Sequence, residues 1–288
     1  MEYLIHIAVL ACIYGILGIS LNLVMGETGL ISVTHAAFYG LGAYAVAFLL
    51  VGFGINFFLA TLAGMILASG VAFAIGVVFL RLKEVYYVLG TVGSNVILFS
   101  VLLNWNSVTR GPLGIGGIPR PEIFGFRFSE NEAFLLLVLA AVAITYAISV
   151  LITRSSFGRV LNAIREDEDV VSVFGYSVYH YKLVIFTIGA AFAALAGAFL
   201  ASYLTYISPF SFTVVESIFI LSIVVLGGLG SGRGALIAAG ILVITPEALR
   251  FVGFTPDIAA QMRQVLYGLI LILLMLYRPQ GLLGRFRI

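Results

Sequence analysis

Side chains able to do chemistry are few in this chain of 288 residues. His6, His35 and His180 are far apart and lack the short spacing of metal ligands. No HExxH, GxSxG or P-loop pattern occurs. Glu166, Asp167, Glu168 and Asp169 form an acidic run, of a kind that holds magnesium-bound diphosphate in some membrane transferases. On one continuous helix only Glu166 and Asp169 would share a face. The four carboxylates then do not converge on one metal, and a solvated helix face is the stronger reading. Cys12 stands alone in an apolar run, so neither an intramolecular disulfide nor a cysteine-based zinc site can form.

The remaining polar residues matter because of where they sit. Gly26 to Tyr44 reads GETGLISVTHAAFYGLGAY, with Glu27, Thr28, Ser32, Thr34 and His35 among glycines in an apolar region. Irregular backbone facing lipid is too costly, so this segment must face protein or a water-filled cavity. A broken helix there presents free N–H or C=O groups to a polar solute. A tight helix–loop–helix corner, with His35 hydrogen-bonded to backbone, is the competing reading. Thr91, Ser94 and Asn95 lie at i, i+3 and i+4 and share one helix face. They suit either an interhelical hydrogen bond, the commoner use, or the lining of a pathway. Asn22 carries the same ambiguity. The candidate solute path is therefore Asn22, Gly29, Ser32, His35, Thr91 and Asn95.

The elements that position these residues follow from composition. Hydrophobic residues make up 62% of the chain and charged residues 10%. Mean hydropathy is +1.16. Soluble domains run near 45–50% apolar and about 25% charged. Long stretches carry no charge, such as Val85 to Thr109 and Leu183 to Val215. An ordinary soluble enzyme, a disordered chain and a nucleic-acid-binding domain are excluded. The apolar runs are continuous rather than alternating, which excludes a transmembrane barrel. What remains is an all-α, polytopic transmembrane helical bundle, expected as a single domain over residues 1–288.

A helix needs about 20 apolar residues to cross the hydrocarbon core. Nine windows qualify: Tyr3–Met25, Val33–Phe53, Phe57–Leu80, Val85–Asn104, Ala133–Thr153, Leu183–Tyr206, Thr213–Leu229, Ala235–Arg250 and Met262–Tyr277. Some are short or glycine-interrupted, so the expectation is 8–10 spans. The first lacks a basic leader and reads as a retained span rather than a signal peptide. One set of loops holds ten of the fifteen basic residues, including Arg81, Lys83, Arg154, Arg159, Arg165, Lys182 and Arg233. Those loops are expected in the cytoplasm. Ser129 to Glu132 and Thr213 to Glu216 fit capping boxes, which would give Glu216 a structural role; a polar contact along a solute path is the alternative. Gly189, Ala193 and Gly197, with Ala190, Ala194 and Ala198, make two small-residue stripes for close helix packing.

Two hydrophilic connections stand out. Trp105 to Glu132, rich in glycine and proline, is expected as a packed outer loop. Arg154 to Lys182 is the long inner connection. Within it Val160, Leu161 and Ile164, resumed by Val171, form an apolar stripe at helical spacing. A short charged helix with such a stripe suits a groove on a partner protein. The alternative is a helix lying on lipid, which four consecutive acids disfavour beside an anionic leaflet.

Five segments, in order and between matching spans, resemble one family. They are GETGLISVTHAAFYGLGAY; LNWNSVTRGPLGIGGIPRP from Leu103 to Pro121; FGRVLNAIREDEDVVSVFG from Phe157 to Gly175; VVLGGLGSGRGALIAAG from Val224 to Gly240; and LYRPQGLLG from Leu276 to Gly284. The chain resembles LivM-type permease subunits of the branched-chain amino acid ABC importers over nearly its whole length. It departs from them at Thr34, where the family commonly has glycine, and around Thr91 to Ser94.

The resemblance implies a subunit of the inner membrane with no catalytic site and no cofactor of its own, ATP being bound by partners. Those partners are two cytoplasmic ATPase subunits, a LivH-like second permease or another copy of this chain, and an extracytoplasmic solute-binding protein. It also implies a cytoplasmic coupling helix at Gly158 to Gly175, with Arg159, Arg165, Glu166 and Asp167 as ATPase-docking residues. Two other classes compete. A stand-alone secondary transporter would favour carboxylates near mid-span, whereas Glu216 and Glu247 lie toward span ends. A membrane-embedded transferase would need converging acids or a nucleophile pair.

Overall fold

The computed structural model describes residues 2–123, 126–128, 130–250 and 280–284, with isolated positions between 262 and 276. Helix α1 (Glu2–Leu21) runs into a π-helical turn, Asn22–Gly26. An unwound stretch then leads to α2 (His35–Phe53), followed by α3 (Phe57–Phe79), α4 (Glu84–Asn104) and the single turn α5 (Asn106–Thr109). After the outer loop come α6 (Asn131–Arg154), two short helices α7 (Ser156–Glu166) and α8 (Glu168–Val173), and the long α9 (Val178–Leu204). Two further helices, the short α10 (Val214–Gly227) and α11 (Gly232–Arg250), close the described bundle.

Among the described residues, six helices are long and apolar enough to cross a membrane. Their limits agree with the first six sequence windows to within a few residues, because apolar length sets where a span can start and stop. With 14 residues, α10 is about 21 Å long at 1.5 Å per residue, short of the ~30 Å hydrocarbon core. It is a partial span. The ninth window, Met262–Tyr277, falls mostly outside the described residues.

Large apolar side chains face outward on α3, α4 and α6, among them Leu59, Ile66, Leu89, Ile97, Leu136 and Ile144. In water such a belt would be a severe liability; in lipid it is the solvent-facing surface. At the centre, α2 and α9 pack backbone to backbone. A Cβ on Gly42 would overlap the Ala194 carbonyl, and one on Gly197 would overlap the Tyr39 carbonyl. Ala190, Ala193, Ala194 and Ala198 are buried in the same seam. The small-residue stripes thus serve as expected.

The outer loop is ordered by its own polar groups. Thr109 Oγ1 hydrogen-bonds the Leu102 and Trp105 carbonyls at 2.7 and 2.8 Å. Strand β1 (Ile115–Gly116) pairs antiparallel with β4 (Tyr206–Ile207), and β2 (Glu122–Ile123) with β3 (Phe126–Arg127). The Arg120 guanidinium lies over the rings of Phe134 and Tyr203 and donates to Asn131 Oδ1. Tyr203 also bonds His6, so this end of α1, α6 and α9 is clamped together.

The capping expectation needs correction at α10. Thr213 is the N-cap residue, but its side chain makes no cap hydrogen bond. Glu216 instead accepts from the Tyr14 hydroxyl at 2.6 Å, joining α10 to α1. Ser129, of the other expected box, lies outside the described residues.

Candidate functional site

Residues 29–34 lack regular structure, between the helical Glu27 and Thr28 that follow the π-turn and the start of α2. Their backbone N–H and C=O groups therefore need partners from elsewhere. The N–H groups of Gly29, Leu30 and Thr34 are met locally, by the Met25 carbonyl, Thr28 Oγ1 and Ser32 Oγ, and helix α4 supplies the partners of Val33. Val33 N donates to Thr91 Oγ1 at 3.2 Å, and Thr34 Oγ1 donates to the Thr91 carbonyl at 3.0 Å. Asn95 Nδ2 donates to the Val33 carbonyl at 3.0 Å and to Ser217 Oγ of α10 at 2.7 Å. Ser217 Oγ also receives the Ala36 N–H at 3.0 Å. Ser32, Thr34, His35, Thr91, Asn95 and Ser217 are all buried.

The i, i+4 pair Thr91 and Asn95 thus faces the broken segment, whereas Ser94 turns back to the Gly90 carbonyl of its own helix. Ser217 was missed by sequence reasoning. It follows Glu216 without any polar periodicity that would single it out. His35 is fully buried, yet among the described residues neither ring nitrogen has a hydrogen-bond partner. The backbone bond proposed for it as a corner residue is absent; its ring lies edge-on to Phe38 and close to Gly189. Asn95 Oδ1 is likewise buried without a partner among the described residues.

Asn22 and Gly29 do not join this node. Asn22 Oδ1 accepts the Gly230 N–H at 3.0 Å, fastening the π-turn to the loop between α10 and α11. Gly29, in a left-handed conformation with φ of 76°, is exposed at the other end of the segment.

The connection after α6 is two helices rather than one. Ser155 caps α7, its Oγ accepting the Gly158 N–H. A Cβ at Gly158 would meet the Ile152 and Thr153 carbonyls, so glycine permits the sharp turn out of α6. Asp167 leaves helical geometry and caps α8, accepting from Asp169 N and Val170 N at 3.0 Å each. The face argument for Glu166 and Asp169 therefore lapses, since it assumed a continuous helix. Lys182, buried at the start of α9, is ion-paired with Glu168. Among the described residues, no three His, Cys, Asp or Glu side chains are placed to share a metal ion.

The apolar stripe is also not where sequence reasoning put it. Leu161 and Ile164 are buried, Leu161 in a cluster with Leu23, Ile185 and Phe192, and Val171 is buried as well. These side chains hold α7 and α8 onto their own bundle and are not presented to a partner. What faces outward is a different set. Val173 and Phe174 are 85% and 76% exposed, with Val170 and Tyr176 nearby. They fall out of register with the stripe, so periodicity hid them. Arg159, Glu166 and Asp167 are exposed on the same connection. Arg165 turns inward and donates to the Gly26 carbonyl. Burial lowers its proton affinity, while Glu166 and Glu27 oppose that shift.

A sequence model of the family described as "Branched-chain amino acid transport system / permease component" matches residues 3–275. The chain belongs to this family. The permease is 35% identical to the high-affinity branched-chain amino acid transport system permease protein LivM of Escherichia coli (strain K12), over 97% of this chain and 69% of that protein. It is 27% identical to the corresponding LivH protein of Salmonella typhimurium, over 94% of this chain and 91% of that one. A solved structure, PsaBC from Streptococcus pneumoniae in complex with Fab, shares its fold with a TM-score of 0.50 at 14% identity, covering 97% of this chain and 93% of that one. With six helices long and apolar enough to cross a membrane among its described residues, the permease is a multi-pass membrane protein.

Proposed function

We propose that this permease is a subunit of an ABC importer that carries branched-chain amino acids, or similar small polar solutes, across the inner membrane. Hydrolysis belongs to two separate ATPase subunits, in keeping with the lack of a P-loop pattern in the sequence. A second permease, LivH-like or another copy, completes the translocation unit. A solute-binding protein engages the end that carries residues 105–130. The end bearing α7 and α8 faces the cytoplasm, as its arginines and lysines suggest.

The observation that carries this reading is the pair Val173 and Phe174. They project from the end of α8, which buries Val171 and follows α7, itself anchored to the bundle by Leu161 and Ile164. Burying each exposed side chain in a partner pocket is worth about 1.5–3 kcal/mol. The rim charges Arg159, Glu166 and Asp167 contribute on the order of 1 kcal/mol or less apiece, and serve orientation more than affinity. Arg165 is not in that rim.

The solute path runs along the broken segment. Buried polar atoms without partners are costly in an apolar interior. His35 and Asn95 Oδ1 are such atoms, and a polar solute or water entering beside Ser32 and Thr91 would satisfy them. Asn22 and Gly29 shape the turn that leads there. The test is retention of co-expressed ATPase subunits by purified Val173→Asp/Phe174→Asp permease. Retention should fall at least a hundredfold in affinity while the permease itself remains monodisperse. Wild-type retention would overturn the docking assignment.

A further inference from the structure

We propose that Arg165 is a positioning residue, a tie that delivers movement of α7 to the π-turn of α1 and through it to the broken segment. The proposal deepens the importer reading and rests on it for its transport readout.

The tie is built from three sides. Arg165 shares the inner face of α7 with Leu161 and Ile164, which lie one turn and one residue before it. Its guanidinium donates to the carbonyl of Gly26, the last residue of the π-turn. The buried Glu27 carboxylate follows immediately and attracts the same cation. The stem reaches further, since a Cβ on Gly29 would stand 3.6 Å from Arg165 Cγ, in ordinary contact. Leu161 adds an apolar hold through its cluster with Leu23, inside the π-turn.

On its far side the turn has no slack. A Cβ on Gly26 would come within 2.6 Å of Gly230 N and 2.5 Å of Asn22 Oδ1. Gly26 is thus held between α7 and the loop entering α11. A push on α7 cannot be absorbed by empty space and must move the π-turn. That turn is the soft element. Its i→i+5 bonding is easily exchanged for α-helical bonding, and π-turns recur where helices must adjust. The segment it leads into ends at Val33 and Thr34, which are bound to Thr91 and Asn95. Contacts thus run without a gap from Arg165 to the node that holds His35 in place. Contiguity alone does not show coupling; an element with two arrangements, biased from both sites, does.

The experiment uses the whole importer, with ATPase subunits and solute-binding protein, in vesicles. In Arg165→Gln, the ATPase subunits should remain attached, while solute imported per ATP hydrolysed falls at least fivefold. Arg165→Lys, which keeps the charge and one donor toward Gly26, should recover part of that ratio. A second readout needs no partner: amide hydrogen exchange of the purified permease. Amides of residues 26–30 should exchange at least tenfold faster in Arg165→Gln, with 168–173 unchanged.

A wild-type solute-to-ATP ratio in Arg165→Gln overturns the tie. So does loss of the ATPase subunits, which would make Arg165 a docking residue. If even the wild-type chain retains no ATPase, the importer reading fails, and unchanged exchange at 26–30 overturns the tie by itself. Should Arg165→Gln not assemble, Arg165→Lys is judged by the same readouts. It must show an intermediate ratio and faster exchange at 26–30, and wild-type values there overturn the tie.

Discussion

Asn95→Ala removes one tie of the broken segment to α4 and the side-chain bond that joins α4 to α10, leaving the Thr91 ties in place. The lost bonds are those from Nδ2 to the Val33 carbonyl, at 3.0 Å, and to Ser217 Oγ, at 2.7 Å. The second is the smaller loss, because Ser217 Oγ still receives the Ala36 N–H. The first leaves the Val33 carbonyl without its donor at a site closed to solvent. Interhelical hydrogen bonds in membranes average only about 0.6 kcal/mol net, because the unfolded chain in lipid also finds partners. An orphaned buried acceptor costs more, about 1–3 kcal/mol.

The orphan should dominate, so Asn95→Ala is expected to destabilise the permease by about 1–3 kcal/mol. At roughly 2–4 °C per kcal/mol, the apparent Tm in detergent should drop on the order of 5 °C. Asn95→Asp should be worse than Asn95→Ala, since it aims a second acceptor at the Val33 carbonyl. Asn104→Ala is the control. Its amide bonds the Ser100 carbonyl at an exposed helix end, and surface changes of that kind stay within about 0.5 kcal/mol. A Tm for Asn95→Ala within a degree of wild type, or Asn95→Asp more stable than Asn95→Ala, would refute the reasoning.

Two further outcomes follow from the packing and the topology. Gly197→Leu should forbid the α2–α9 seam, because even a Cβ there stands 2.8 Å from Ala43 N and overlaps the Tyr39 carbonyl. A loss of about 3 kcal/mol or more is expected, read as a lower Tm or failed assembly, and a normal yield and melt would contradict the seam. A single cysteine placed at exposed position 167, in a Cys12→Ala background, should react with an impermeant thiol reagent in inside-out vesicles and not in intact cells. Labelling of intact cells would reverse the orientation.

Span positions were legible in the sequence because they depend on a one-dimensional quantity, the length of uninterrupted apolar chain. The same holds for the α9 small-residue stripes, whose period is that of the helix itself. The broken segment was legible as polar, glycine-rich sequence in apolar surroundings, and Thr91 with Asn95 as a pair on one face. Which face they meet was not, because a hydrogen bond across helices depends on the partner's placement. Ser217 therefore stayed hidden, and His35 could not be told from a corner residue held by its backbone.

The Phe157 to Gly175 connection shows the division most clearly. Helical period in the sequence found Leu161, Ile164 and Val171, and amphipathicity says only that such a stripe is covered. Tertiary structure decided that this chain's own bundle covers it, leaving Val173 and Phe174 outside. The cap formed by Asp167 splits the run that a continuous helix would have carried through. Arg165 and Arg159 have the same charge and belong to the same short helix. The sequence alone treats them alike. Only the fold, by bringing the Gly26 carbonyl and Glu27 beside one of them, turns Arg165 inward and leaves Arg159 in solvent.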